Sequence, residues 1–356
     1  MVLLTQKLGI RILLGLLIFL FILEVQCLGI AGERVPHEEK WGIYALDIPT
    51  EDVYLIYSSP DRISGLQINS TGNTFAFSQR FGGDDTDDEE ICAILLDGTN
   101  YRRLTNNTVL DTYPVWSPDG SLIAFLSWRD ETMDIYTMDT DGSNVNKLYD
   151  SGFHDGDIHW LHNTIVFTRN SQIWMMNDDG TGAHQITDLP RAGEWGKAVL
   201  PFGDYDPRLN PDGTVIAFER MVDDESSHGN YDIFVINVDG SHETALTATG
   251  YTQGLPKWSN KGDKILYEVA AAGETGIFEL YVMNADGLNS YSITPEYFPA
   301  NFLCHSPVFS PDDTIIYFVG EWWEQETGFG LILVISGFFL ALMMKKMTTG
   351  RGSQRS

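Results

Sequence analysis

The stretch Tyr113-Pro114-Val115-Trp116-Ser117-Pro118-Asp119-Gly120-Ser121-Leu122-Ile123-Ala124-Phe125, followed by Asp134-Ile135-Tyr136-Thr137-Met138-Asp139-Thr140-Asp141-Gly142, decides the fold. Each half reads as a β-hairpin: a β-rich run, a tight turn whose glycine supplies a positive φ, and a second β-rich run. The first half returns as Asn210-Pro211-Asp212-Gly213 before Ile216-Ala217-Phe218, as Trp258-Ser259-Asn260-Lys261-Gly262 before Ile265-Leu266-Tyr267, and as Phe309-Ser310-Pro311-Asp312-Asp313 before Ile315-Ile316-Tyr317. Weaker copies run from Asn69 to Phe77 and from Trp160 to Phe167. The second half returns at Asp97-Gly98, Asp179-Gly180, Asp239-Gly240 and Asp286-Gly287, each after an alternating strand such as Ile233-Phe234-Val235-Ile236-Asn237.

Two hairpins per repeat make a four-stranded sheet. A sheet that small cannot bury both faces alone, so copies spaced about 40 to 50 residues apart must pack on one another, as in a propeller. Six first halves stand against five Asp-Gly second halves, and the missing one is at the front. Gly42 to Tyr57 reads as a strand, a turn and a strand of the right length, which would complete the last blade, whose inner pair ends near Trp322. Closing the ring this way removes exposed edges. The expectation is an all-β, six-bladed propeller over residues 32–326, closed by N- and C-terminal strands sharing the last blade.

The residues at 116 to 142, Trp-Ser-Pro-Asp-Gly, Ile-Ala-Phe, Asp-Ile-Tyr-x-Met and Asp-x-Asp-Gly, resemble the repeats of TolB-like propellers. The resemblance covers about residues 41 to 323 and speaks to fold more than to function, because these residues build turns and cores. TolB itself carries a second α/β domain before its propeller, for which this sequence leaves no room. Its periplasmic partner binding therefore transfers only as analogy.

The two ends read differently. Residues 1–31 run from Lys7 and Arg11 through an apolar core, Ile12 to Leu23, to Gly29-Ile30-Ala31, the order of a secretory signal peptide cut after Ala31. An uncleaved anchor is the competing reading, against which Glu24 and Gln26 argue. Cys27 lacks the preceding small residues of a lipoprotein signal. Gly328 to Met344 is 17 residues without a charge, so residues 327–344 read as one C-terminal transmembrane helix. The basic tail 345–356, with Lys345, Lys346, Arg351 and Arg355, stays inside and puts the propeller outside the cell membrane. The start Thr327-Gly328-Phe329 also resembles the processed tail signals of some archaeal surface proteins, though the proline of their Pro-Gly-Phe is missing.

The whole chain carries a formal charge of −28, and removing signal and tail leaves 16 basic against 49 acidic residues. Such a domain repels nucleic acid and anionic lipid, and its acidity reads first as a solvating surface. Two acceptor sequons, at Asn69 and Asn106, fit an exported protein. Three cysteines are too few for a disulfide framework.

In propellers of this kind the loops entering the innermost strands ring the channel mouth. Aligning the copies places Ile63, Asp111, Asp155, Asp204, Gln253 and Cys304 at one equivalent position, with His154, Tyr205 and His305 beside them. Three converging carboxylates would suit a cation or a basic peptide group, and aspartates capping turns on a wet rim are the plainer alternative. The connections Asp84 to Glu90, Asp130-Glu131 and Asp223 to Glu225 on that face are acidic too, and Gly83 to Glu90 lacks the spacing of a calcium loop and reads as solvated. The insertion Pro190 to Gly203 is apolar for a loop and would either cover the channel mouth or meet a partner, with Trp195 and Phe202 as the candidate contacts. Trp322 and Trp323 would sit at the lipid interface or finish the last blade. The channel mouth at the entry loops would look toward the lipid.

No Gly-x-Ser-x-Gly elbow occurs and no hydrolase domain follows, in contrast to prolyl oligopeptidases. The segment His154-Asp155-Gly156-Asp157-Ile158-His159-Trp160-Leu161-His162 is dense in metal-ligand types, yet alternation puts no two of its histidines plainly together. The reading is a membrane-anchored module that binds a protein or another envelope component, needs no cofactor and has no catalytic residue. A divalent cation is the cofactor left open, and a metal-dependent hydrolase or lyase acting on a cell-surface polymer is the alternative.

Overall fold

The computed structural model describes residues 41–81, 88–224, 229–270, 278–299 and 301–322. The expected signal peptide, membrane helix and basic tail lie outside these residues, as do Asp84 to Asp87, Glu225 and Trp323. Among the described residues no helix is long and apolar enough to cross a membrane.

Strands β1 (Trp41–Asp47) and β2 (Val53–Ser59) come first in the chain but belong to the last blade. The first blade holds β3 (Ile63–Ile68), β4 (Thr74–Arg80), β5 (Glu89–Leu95) and β6 (Arg102–Arg103), and the second β7 (Asp111–Trp116), β8 (Leu122–Ser127), β9 (Asp134–Asp139) and β10 (Asn146–Tyr149). The third holds β11 (Asp155–Leu161), β12 (Thr164–Arg169), β13 (Gln172–Asn177) and β14 (His184–Gln185), and the fourth β15 (Asp204–Leu209), β16 (Val215–Asp223), β17 (Asn230–Asn237) and β18 (Thr244–Ala245). The fifth holds β19 (Thr252–Trp258), β20 (Lys264–Ala270), β21 (Phe278–Asn284) and β22 (Tyr291–Ser292). In the sixth, β23 (Phe302–Phe309) and β24 (Ile315–Trp322) continue into β1 and β2, with Trp41 opposite Glu321 and Asp47 opposite Ile315. The molecule is the six-bladed, all-β propeller that the repeat predicts, closed by both ends of the chain.

The repeat's polar residues build its turns. Ser117 accepts the Leu122 N–H (2.9 Å) and donates to Asp119 (2.7 Å), which accepts the Ser121 N–H, while Gly120 takes a φ of +72°. Asn210 does the same work with its side-chain oxygen, accepting from Thr214 and Val215. Such bonds favour the charged carboxylate and hold Asp119 and Asp312 down at about 2.

The apolar triplets on the second strands divide between neighbours. Ile123 and Phe125 face the first blade while Ala124 faces the third, and Phe75 and Phe77 face the sixth blade while Ala76 faces the second. Alternation on a strand buried on both faces produces this split. A buried cluster consequently fills each of the six blade junctions, including the one between the sixth and first blades, where Trp41, Ile43, Tyr317 and Val319 meet Phe75 and Phe77. The core is therefore a ring around the channel.

Candidate functional site: a funnel in the central channel

Each inner strand begins on one face, here called the entry face, and ends at a hairpin turn on the other, the turn face. Near its middle each one shifts register against its partner, between Ser64 and Gln67, Thr112 and Val115, Gly156 and His159, Tyr205 and Arg208, Gly254 and Lys257, and His305 and Val308. Each shift contains one residue at positive φ: Gly65, Tyr113, Asp157, Asp206, Leu255 and Ser306. A bulge of this kind re-aims the side chains that follow it, so the channel is lined in layers.

The layer expected from the sequence lies on the entry side of the bulges. Ile63, Asp111, Asp155, Asp204, Gln253 and Cys304 occupy equivalent register positions, but the three aspartates are each held within their own blade. Asp111 is bound by Arg129 (2.7 Å), Ser127 and Asn107, Asp155 by Arg169 (2.8 Å), and Asp204 by Arg220 (2.6 and 3.0 Å). Arg169 in turn lies over the rings of Tyr149, Phe167 and Trp174, at 4.6 to 4.9 Å from their centroids. Burial pushes the Asp155 carboxyl up to about 6 against the pull of Arg169.

The neighbours of these residues are also engaged. His154 accepts the Met133 N–H at 3.0 Å and lies beside Trp128, and burial lowers its pKa. Tyr205 is buried, donates to the Pro201 carbonyl and accepts from the Ser171 hydroxyl, Gln253 donates to Thr249, and His305 stands 3.3 Å from Glu321. In the insertion, Phe202 turns inward onto Tyr205, Met221 and Tyr231 of the fourth blade beneath the Arg191 guanidinium, whereas Trp195 is 46% exposed. Among the described residues no three His, Cys, Asp or Glu side chains gather closely enough to hold a metal ion.

Open space lies on the other side. A funnel of about 420 Å³ opens on the turn face between the inner hairpin turns, and Gln67, His159, Arg208, Lys257 and Val308 form its floor. These are the residues that follow the bulges. Deeper in, the channel narrows to a throat of about 20 Å³ beside Gly65, Tyr113, Asp206, Leu255 and Ser306, room for a single water at most.

Around the throat sit buried acids, of which only Asp157, within the His154 to His162 segment, stands out in the sequence. Asp157 is pushed up to about 7 by burial and then by Asp206, and Glu268 up to about 8 by burial. Glu219 is raised well above its ordinary range for the same first reason. Two of them fasten the next blade: Glu219 accepts the Leu255 N–H (2.9 Å) and Glu268 the Ser306 N–H (2.7 Å), each at a left-handed bulge residue. Arg208 donates to the Pro207 carbonyl (2.8 Å) and lies 3.6 Å from Asp206. Lys257 and His159 are half-buried and lose basicity, first by burial and then through the Arg208 charge.

A signal for the funnel floor is present in the sequence. Arg208 and Lys257 each follow a repeat proline and stand two residues before the turn residue, as Pro207-Arg208-Leu209-Asn210 and Pro256-Lys257-Trp258-Ser259.

Fold and site together define a six-bladed β-propeller with a funnel on the turn face that narrows toward the middle of the channel. Residues 38–223 match the TolB beta propeller domain, and the chain belongs to that family. An uncharacterized protein of Agrobacterium fabrum is 29% identical over 177 residues, 46% of this chain and 57% of that protein. A Tol-Pal system protein TolB of Desulfosudis oleivorans is 27% identical over 129 residues, 33% of this chain and 28% of that protein. The chain thus spans less than two thirds of either. Among solved structures, a protein assigned as TolB from Agrobacterium tumefaciens superposes with a TM-score of 0.63 at 17% identity, covering 81% of this chain and all of that one. An oligogalacturonate lyase in complex with manganese superposes at 0.51 with 12% identity over 80% of this chain and 83% of that one, a likeness of fold alone.

Proposed function

We propose that this protein is a binding module of the cell envelope, tethered to the outside of the membrane by its C-terminal helix, that receives a protein partner at the turn face of the propeller. The observation that carries the reading is the funnel, whose floor offers hydrogen-bond donors and, among the described residues, no nucleophile paired with a base. A relative named as a Tol-Pal system protein supports a protein as the kind of partner. Trp41 and Trp322 both end on the entry face, since Trp41 lies opposite Glu321 and Phe302 opposite Trp322. A helix following Trp322 would then approach the membrane from the entry face and turn the funnel away from it. Phe153, Trp195 and Tyr251 are exposed in loops that enter inner strands on the same face, where an interfacial position would suit them. The proposal needs no cofactor and no nucleic acid.

The test is crosslinking on intact cells with the full chain and with Val308→Trp, which fills the funnel. One envelope protein captured by the first and lost with the second supports the reading; equal capture sinks it. Release of the propeller from membranes on removal of residues 327–356 checks the tether, and retention would refute it. Stoichiometric, tightly held metal in the purified protein would turn the assignment to the hydrolase or lyase alternative.

A further inference from the structure

We propose that the funnel holds the free C-terminal carboxylate of an extended peptide with an apolar tail, gripped by Lys257 with His159 and Gln67. This rests on the funnel being a binding site and names what it binds. The first ground is a missing partner. Lys257 makes no hydrogen bond or ion pair with any described residue, although it lines both the funnel and the throat. Asp206, Glu268 and Asp157 act on Lys257 only through space, without a hydrogen bond or an ion-pair contact, so its N–H donors remain for an incoming anion at the bottom of the cavity.

The second ground is the polarity of the floor. His159 accepts the Leu209 N–H on Nδ1 at 3.1 Å, so the neutral ring must carry its proton on Nε2 as a donor. Gln67 adds an amide with no described partner. Arg208 is fixed by the Pro207 carbonyl and contributes positive potential from one side. A floor of donors fits a group that only accepts, and an ionised carboxylate is such a group.

The third ground is the wall. Most polar residues of the rim are already engaged: Asn69 by Asn73 and Thr74 and Ser259 by Asp263 and Lys264 of their own turns, and Asn260 by Ser310 and Asp313 of the neighbouring blade's turn. Between rim and floor the lining is apolar, with Ile68, Leu161, Leu209 and Phe309. Aliphatic side chains match that wall, and the hydroxyls of a sugar do not. The throat stops a chain that enters from the turn face, so a chain end fits and a passing segment does not.

Isothermal titration calorimetry on the purified, detergent-solubilised full chain tests this with N-acetyl-Leu-Val-Leu as the free acid, the same peptide as its C-terminal amide, and trigalacturonate. The acid should bind at least tenfold more tightly than the amide, and Lys257→Met should bring the acid to the level of the amide with the thermal midpoint retained. Lys257→Arg should keep most of the preference. Equal binding of acid and amide, undiminished binding by Lys257→Met, absence of acid binding, or trigalacturonate binding as tightly as the acid each overturns the proposal. If Lys257→Met still captures the envelope partner that Val308→Trp loses, the binding reading stands and the carboxylate inference alone has failed.

Discussion

Glu268 shows how a single side chain ties blade closure to proton binding. It is 5% exposed, accepts the Ser306 N–H, and is pushed up to about 8 by burial from an ordinary value of 4.5. Its folded pKa lies above its unfolded one, so the folded state keeps a proton that the unfolded chain releases. The resulting stability is complete below about pH 4 and declines as pH rises through about 8. Asp157 acts in the same direction. Lys257 and His159 act in the opposite one, since their lowered values mean that the unfolded chain takes up protons first as pH falls. The Glu268→Gln variant mimics the protonated acid and isolates one member of the set. Its stability should change with pH between 5.5 and 7.5 by one proton less than the parent, at most about 1.4 kcal/mol per pH unit; denaturant midpoints across that range measure it, and parallel curves would exclude the assignment. The same residues mark what the sequence could show of the site. The copies align at Asp111, Asp155 and Asp204, but which way the following side chains point depends on bulges at Tyr113, Asp157, Asp206 and Leu255, where a period of two no longer holds. Non-glycine residues at positive φ carry little sequence signature, and the interest of Arg208 and Lys257 therefore lay hidden behind a legible repeat proline.

At the scale of strands and turns, far more was legible, because the repeat states each element twice over. Ile123-Ala124-Phe125 shows both strand propensity and the large-small-large order that fits two neighbouring blades. The Asp-Gly turns go further, since their glycines answer a requirement between blades as well as within them. Gly142 has a φ of +88°, and a Cβ there would stand closer than van der Waals contact to the Leu104 carbonyl oxygen of the first blade. Gly98 and Gly180 approach the Ile56 and Leu148 carbonyls in the same way. From sequence the glycine explains a turn, and the approach to the next blade emerges only once the ring is assembled. Gly142→Ala should therefore combine backbone strain with a steric conflict and destabilise the fold by about 1–3 kcal/mol or more. Gly152→Ala is the control, with a φ of +71° and nothing within 4 Å of its added carbon. Thermal melts of the two variants should separate, the first lower; coincident midpoints would show that the junction yields without cost.

For the whole molecule the decisive contact is the one between its two ends. Strand β1 lies along β24 from Trp41 to Asp47 and contributes Trp41, Ile43 and Ala45 to the cluster that joins the sixth blade to the first. Removing residues 41–59 from a fragment spanning 41–322 should leave the β24 edge unpaired and that junction half empty, and the product should aggregate or lose cooperative unfolding. Loss of folding after a deletion is a blunt result, however, because it does not separate the closure from the bulk of residues removed. Rearrangement of the chain does. Trp322 and Trp41 finish and start their strands at the same end of neighbouring positions in one sheet, so a short hairpin loop can join them. A permuted chain that starts at residue 61, runs to Trp322, turns through such a loop and continues from Trp41 to Pro60 would make the sixth blade from consecutive strands, as the other five already are. It keeps every packed residue of the ring and changes only where the backbone is cut. This permutant should fold, with calorimetric unfolding as cooperative as that of the 41–322 fragment, while the deleted chain does not. Should the deleted chain unfold as cooperatively and as late as the intact fragment, closure through β1 would not be what holds the ring.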